Sequence, residues 1–250
     1  MGQSDDPEEG QDDSLHIDPD VTLLTLELVL ADAPSLEERA TIEATYNALP
    51  PENRDGFLRY VATSNERLRL MERDPLTELY NRRKFGIDLD LAVRKVNRTI
   101  RAGNEEDVSL IFLDLDYFKN VNDAHGHDTG NRVLREVTDC LQKNVRPTDD
   151  SVYRLGGDEF AAIIRNTSKE HGLIVANRLL GGLRTGSPLW YGVTASIGVV
   201  NYTGHIPLDN TVDTAVRLMP LYADSAAYFA KTQGRDRVCV YEPGVTPLKQ

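Results

Sequence analysis

The sequence lacks nearly everything that marks a secreted, membrane-spanning or disulfide-stapled chain. Of its 250 residues, two are cysteine and one is tryptophan. Cys140 and Cys239 lie far apart with no metal-ligand spacing around them, so neither a disulfide framework nor a cysteine-held metal is expected. One falls in a helical pattern and the other in a strand pattern, as core thiols do. No uncharged run approaches the roughly 18 residues that a membrane helix needs, and no secretory pattern opens the chain. The expectation is a soluble, cytoplasmic protein without a membrane partner. Positive charge is missing from residues 1–20, which carry eight carboxylates (Asp5, Asp6, Glu8, Glu9, Asp12, Asp13, Asp18, Asp20). With these set aside, the net charge of −12 falls to −4, so the acidity belongs to a solvated tail. A chain with no basic face is a poor binder of nucleic acid. There is also no Gly-x-x-x-x-Gly-Lys-Ser/Thr loop and no dinucleotide fingerprint. Any bound phosphate must therefore be held by metal, backbone amides and individual cations.

What is present is a 40% hydrophobic content, enough for one ordinary domain and a smaller companion. After the tail, helical patterns run over 21–31, 36–49 and 52–72. Ser35 and Glu38 form a capping-box pattern for the second. Phe57, Tyr60, Val61, Leu68 and Met71 give the third an imperfect apolar stripe. Pro34, Pro50, Pro51 and Pro75 punctuate these segments where helices stop or start. From Asp74 onward, helices and strands alternate. Helices are expected over 81–100, 130–145, 169–183 and 213–231, and strands over 108–116, 151–155, 159–164, 192–200 and 237–241. Gly156-Gly157 joins two of those strands in a hairpin, because both glycines accept positive φ. A mixed sheet with helices packed on it accommodates this alternation.

Two places carry unexpected chemistry. Asp114 ends a strand whose preceding residues, Leu110 to Leu113, are all apolar. A carboxylate there is costly unless it meets solvent, a donor or a cation. Asp116 follows at period-two spacing and points to the same face. Paired carboxylates at a strand end suit Mg²⁺, which takes oxygen ligands and keeps part of its shell for substrate phosphates. A solvated strand end would carry the same residues. The second place is the hairpin itself. Gly156 and Gly157 expose N–H groups without side-chain obstruction, and Asp158 and Glu159 follow, pointing to opposite faces if extended.

The run Arg154-Leu155-Gly156-Gly157-Asp158-Glu159-Phe160 resembles the signature of the GGDEF diguanylate cyclases. Asp74-Pro75-Leu76-Thr77-Glu78-Leu79-Tyr80-Asn81-Arg82-Arg83-Lys84-Phe85 resembles the segment that opens that domain. The stretch from Asp114 to Asp123, continued by Gly126-His127-Asp128-Thr129-Gly130-Asn131, resembles its metal and base-binding region. Ala223-Asp224 and the run from Ala230 to Val238 resemble its closing helix–strand junction. The resemblance covers about two-thirds of the chain. It implies an α/β (α+β) domain over 74–250 with a mainly antiparallel central sheet flanked by helices, like nucleotidyl cyclases and polymerase palms. A helical regulatory or dimerisation module over 21–73 precedes it. It further implies a homodimer that condenses two GTP into cyclic di-GMP.

Carried over residue by residue, the resemblance gives Mg²⁺ (or Mn²⁺) to Asp114, Asp158 and the Leu115 carbonyl, with Glu159 assisting. Lys119, Lys231 and Arg235 bind phosphates. Asn122 and Asn131 read guanine, with His127 nearby. Three positions depart from the family pattern. Glu78 stands where glycine is usual, a change expected to affect a local turn. Asn131 stands where aspartate is commonest; an amide offers one acceptor oxygen to guanine where a carboxylate offers two. Arg146 and Asp149 form an Arg-x-x-Asp pair like the family's product-inhibition site, but one residue too far from the signature. The alternatives are a non-catalytic receptor or scaffold for GTP or cyclic di-GMP, and a cyclase with relaxed purine selectivity. No Glu-Ala-Leu phosphodiesterase motif is present.

Overall fold

The structure, a computed structural model, describes residues 26–27, 29–30, 36–103, 106–206 and 211–249. The acidic stretch 1–20 and most of the expected helix 21–31 lie outside them. The chain divides into two compact units, Met1–Arg69 and Leu70–Gln250.

In the first unit, α1 (Leu36–Ala48) is followed by α2 (Pro51–Glu72), which crosses the boundary between the units. Pro51 opens α2 where its missing N–H costs nothing. Leu26, Val29, Leu30, Ile42, Tyr46, Leu58 and Val61 form a small core, with Phe57 packed against it. The expected stripe is thus corrected at two positions: Tyr60 and Met71 are exposed, and Leu58 takes the buried place.

The second unit is built on a six-stranded sheet. Its elements are β1 (Tyr80–Asn81), α3 (Arg82–Arg101), β2 (Val108–Asp116), α4 (Phe118–His125), α5 (His127–Lys143), β3 (Ser151–Gly156), β4 (Glu159–Arg165), α6 (Lys169–Gly186), β5 (Thr194–Asn201), α7 (Tyr202–His205), α8 (Val212–Thr232) and β6 (Arg237–Val240). A 3₁₀ turn, Ser187–Trp190, precedes β5. The strand order is β1-β3-β4-β2-β5-β6. The central four strands pair antiparallel, but β1 runs parallel to β3 and β6 parallel to β5. The sheet is therefore mixed rather than mainly antiparallel. The outer strands reach their places after long crossovers, which a local sequence pattern does not reveal.

Period two divides β2 between two cores. Ile111, Leu113 and Leu115 pack with Val133, Val137 and Leu141 of α5 and with Val175 and Leu179 of α6. Val108 and Leu110 pack on the other face with Phe85, Leu89 and Val93 of α3 and with Met219 and Ala223 of α8. Helix α4 was not expected, and α5 begins three residues before the expected start at 130. Gly126, at φ 81°, separates the two helices, and Asp128 in the first turn of α5 suits the positive end of that helix. Among the described residues, no helix is long and apolar enough to cross a membrane.

Candidate nucleotide and metal site

The site lies where β2 ends beside the β3–β4 hairpin. Asp114 stands in register between Glu159 of β4 and Ser196 of β5. The Leu115 N–H donates to the Asp158 carbonyl at 3.1 Å, so hairpin and strand end are fastened together. Gly156 and Gly157 take φ values of 144° and 51°, which L side chains rarely adopt. A shift of register between Arg154 and Gly156 tightens the turn.

The opening segment braces this hairpin. Arg154 donates to the Gly157 carbonyl from Nε (3.1 Å) and Nη2 (2.8 Å), and to Asp74 Oδ1 from Nη1 (2.8 Å). Asp74 also accepts from the Thr77 N–H and hydroxyl. Burial alone would raise its pKa, but Arg154 and Thr77 outweigh burial and hold it below the ordinary carboxylate value. On the other side, Arg82 donates to the Leu155 carbonyl at 2.9 Å and reaches Glu159 Oε2 at 3.2 Å. Glu159 is therefore engaged with Arg82, although its backbone stands in register with Asp114. The sequence reading assigned no task to Asp74, Arg82 or Arg154, although all three lie in the quoted motifs.

Asp114 is unevenly compensated. Its Oδ2 pairs with Lys231 Nζ of α8 at 2.5 Å, whereas its Oδ1 is buried without a partner. Burial, with the nearby Asp158 and Glu159 charges, raises its pKa against the opposing pull of Lys231. An orphaned carboxylate oxygen beside two further carboxylates fits a divalent cation. Among the described residues, no three His, Cys, Asp or Glu side chains gather tightly enough to hold a metal by themselves.

Asp116 shares the face of Asp114, as expected, but is already committed. Its Oδ1 accepts from Ser196 Oγ (2.7 Å), and its Oδ2 from Thr194 Oγ1 (2.9 Å) and the Asp236 N–H (3.0 Å). Arg235 lies with its guanidinium 5.1 Å from the Tyr117 ring centre and its Nε 3.9 Å from Asp116 Oδ1.

The expected base-reading residues sit on α4 and α5. Asn122 is half-buried, and a Cβ built on Gly130 would meet its Oδ1 at 1.9 Å, so glycine here leaves the Asn122 side chain its present place. Asn131 is half-buried and His127 exposed, one turn apart on α5; Lys119 is exposed in the first turn of α4. Arg146 and Asp149 stand 3.8 Å apart, but Arg146 donates to the buried Asp150 from N (3.0 Å), Nε (3.0 Å) and Nη2 (2.8 Å), and its Nη2 also donates to the Arg165 carbonyl.

The chain is similar to known proteins in sequence and in fold. A family profile described as "Diguanylate cyclase, GGDEF domain" matches residues 71–237. The probable diguanylate cyclase DgcE of Escherichia coli (strain K12) is 35% identical over 170 residues, which is 68% of this chain and 15% of that one. The chain spans less than half the length of the curated relatives it matches. The GGDEF domain of YfiN (TpbB) from Pseudomonas aeruginosa superposes with a TM-score of 0.58 at 31% identity, covering 68% of this chain and 94% of that one. The GGDEF domain of DgcB from Caulobacter crescentus, solved in complex with c-di-GMP, gives 0.56 at 28% identity, covering 68% and 95%.

Proposed function

The chain belongs to the diguanylate cyclase GGDEF domain family, and from that premise we propose that it binds GTP at the β3–β4 hairpin and, as a homodimer, joins two GTP into cyclic di-GMP. Each ribose 3′-hydroxyl attacks the α-phosphate of the other nucleotide. Two P–O bonds form, and two pyrophosphates leave. Since each nucleotide supplies the nucleophile for the other, two protomers must face one another, and residues 21–73 serve as the module that brings them together.

The observation that carries this reading is the unpartnered Oδ1 of Asp114 beside a hairpin whose two glycines have open space where a side chain would stand. Asp114, Asp158 and the Leu115 carbonyl would hold Mg²⁺ (or Mn²⁺), with Glu159 assisting from its place on Arg82. Bound there, the metal would make the 3′-hydroxyl more acidic and offset charge on the α-phosphate. Lys119, Lys231 and Arg235 place positive charge on the remaining phosphate oxygens. Lys231 exchanges Asp114 for phosphate when substrate arrives. Asn122 and Asn131 take the guanine edge, with His127 at the rim.

Asn131 favours one variation on this reading. With a single acceptor oxygen for the two adjacent donors of guanine, it discriminates less sharply against adenine. Chromatography of products formed from GTP, ATP and Mg²⁺ tests both points. Cyclic di-GMP with release of pyrophosphate is expected, accompanied by some mixed dinucleotide. Absence of any cyclic product at protein concentrations that support a dimer would leave only a binding role.

A further inference from the structure

The two carboxylates at the end of β2 are chemically alike and share a face, yet the structure partners one oxygen of the first and both oxygens of the second. Asp114 keeps an oxygen without a partner. Asp116, whose side chain is fully buried, fills both: Ser196 Oγ on Oδ1, Thr194 Oγ1 and the Asp236 N–H on Oδ2. Three of its roughly four lone-pair sites are taken by these donors, and Arg235 Nε stands 3.9 Å from Oδ1. What it does hold is a piece of backbone 120 residues away in the sequence.

That backbone needs holding. Gly234, Arg235 and Asp236 follow one another at φ values of 111°, 63° and 48°. Two successive non-glycine residues in the left-handed region are strained, since each sets its Cβ against the next carbonyl, and they persist only where surrounding contacts fix them. Locally, the Arg235 N–H donates to the Ala230 carbonyl at 3.0 Å and Arg237 Nε donates to the Arg235 carbonyl at 2.9 Å; the longer-range contacts come from two directions. From inside, Asp116 accepts the Asp236 N–H. From outside, Arg184 of α6 clasps the Asp236 carboxylate at 2.9 and 3.1 Å and its carbonyl at 2.7 Å. The residue caught between these fastenings is Arg235, whose guanidinium lies over Tyr117 and beside Asp116 at the site's edge.

We propose that Asp116 and Arg184 are positioning residues that clamp the Gly234–Asp236 turn so that Arg235 is presented to the nucleotide's phosphates, and that Asp116 is not a metal ligand. This rests on the GTP-binding reading above. The aligned hydroxyls of Ser196 and Thr194 hold the Asp116 carboxylate in the one orientation that accepts from Asp236.

The test is a double-mutant cycle read by GTP binding in Mg²⁺ (calorimetry), with guanosine as a phosphate-free control and circular dichroism to check folding. Asp116→Asn keeps the shape but loses the charge. It is expected to weaken GTP about tenfold, the effect of one lost contact to a charged group, and to leave guanosine unchanged. In an Arg235→Ala background the same substitution changes GTP affinity by less than about twofold, because the residue it acts through is gone. Arg184→Ala, at a side chain exposed enough not to threaten folding, repeats the pattern and covers the case in which Asp116→Asn does not fold. A GTP loss that persists in the Arg235→Ala background, or that is repaired by raising Mg²⁺, overturns the clamp and returns Asp116 to the metal. Unchanged GTP affinity in both variants also overturns it. A wild-type protein that binds no GTP overturns the functional reading instead, which is a separate outcome.

Discussion

Lys231 closes on one oxygen of Asp114 at 2.5 Å, while the other oxygen of the same carboxylate is buried with no partner. The pair joins α8 to the end of β2 and keeps the site half-neutralised. A cation bound at Oδ1 and a phosphate bound by Lys231 together replace what the pair now supplies, so the exchange need leave no charge bare.

Asp114→Asn is expected to lower turnover by at least about a hundredfold, the usual cost of removing one electrostatic contact to a reacting group. Its effect on stability has the opposite sign. The folded pKa of Asp114 is raised by burial and by Asp158 and Glu159, against Lys231. A raised carboxyl favours the folded state below its ordinary value of 3.8, and that advantage is lost as pH rises through the folded pKa. The asparagine variant should therefore gain melting temperature over wild type at pH 7, by an amount that shrinks towards pH 4, in the absence of divalent ions. Added Mg²⁺ should stabilise wild type and not the variant. Turnover above about a tenth of wild type, against the hundredfold expected, or a variant that melts lower at pH 7, refutes this.

Gly130→Ala probes the α4–α5 contact. The new Cβ would sit 1.9 Å from Asn122 Oδ1 and 3.2 Å from Phe118 Cζ, so Asn122 must swing away. Overpacking of this kind costs about 1–3 kcal/mol. If Asn122 reads guanine, GTP binding should fall towards the level of ATP while ATP binding holds steady, because the phosphate cations have not moved. Equal losses for both nucleotides would place Asn122 outside the base pocket.

Glu78→Gly should stabilise the second unit. Glu78 is exposed and sits at φ 58°, where its N–H donates to the Asp74 carbonyl at 2.8 Å. Relief of a left-handed non-glycine residue is worth about 1–2 kcal/mol, less about 0.5–1 kcal/mol for the added freedom of the unfolded chain. A gain of roughly 0.5–1 kcal/mol in urea unfolding is expected, with activity unchanged. Destabilisation by glycine would mean that the Glu78 side chain contributes a contact worth more than the strain.

Arg146 and Asp149 should behave as unequal partners. Arg146 serves Asp150, whose burial alone would raise its pKa but whose bonds from Arg146 and Arg165 lower it. That contribution is complete above the ordinary value of 3.8 and lost as pH falls through the folded pKa. Arg146→Ala should cost about 2 kcal/mol, as for hydrogen bonds to a charged group. Asp149→Ala, whose half-exposed carboxylate stands 3.8 Å from Arg146, should cost almost nothing. Cyclic di-GMP titrated into the reaction should inhibit wild type and Asp149→Ala alike. Relief of inhibition in Asp149→Ala would show that the pair opens to bind product.

Elements whose signals are local were legible in the sequence. The apolar run into Asp114, the Gly156-Gly157 turn and the apolar run of β4 each depend on neighbours a few residues away, and each stands where expected. Asn81 capping α3 through its side chain is equally local. The chain's family was also legible, because its motifs are runs of adjacent residues. Only the tertiary structure decided what depends on partners far along the chain. The parallel edge strands follow from crossovers that no pattern encodes. Helix α4 begins directly after a left-handed Tyr117, where local propensity gives no start signal. Above all, Asp114 and Asp116 are indistinguishable as letters two apart on one strand. They differ because Ser196, Thr194 and Asp236 arrive from distant parts of the chain to satisfy one carboxylate, and Lys231 arrives to satisfy only half of the other.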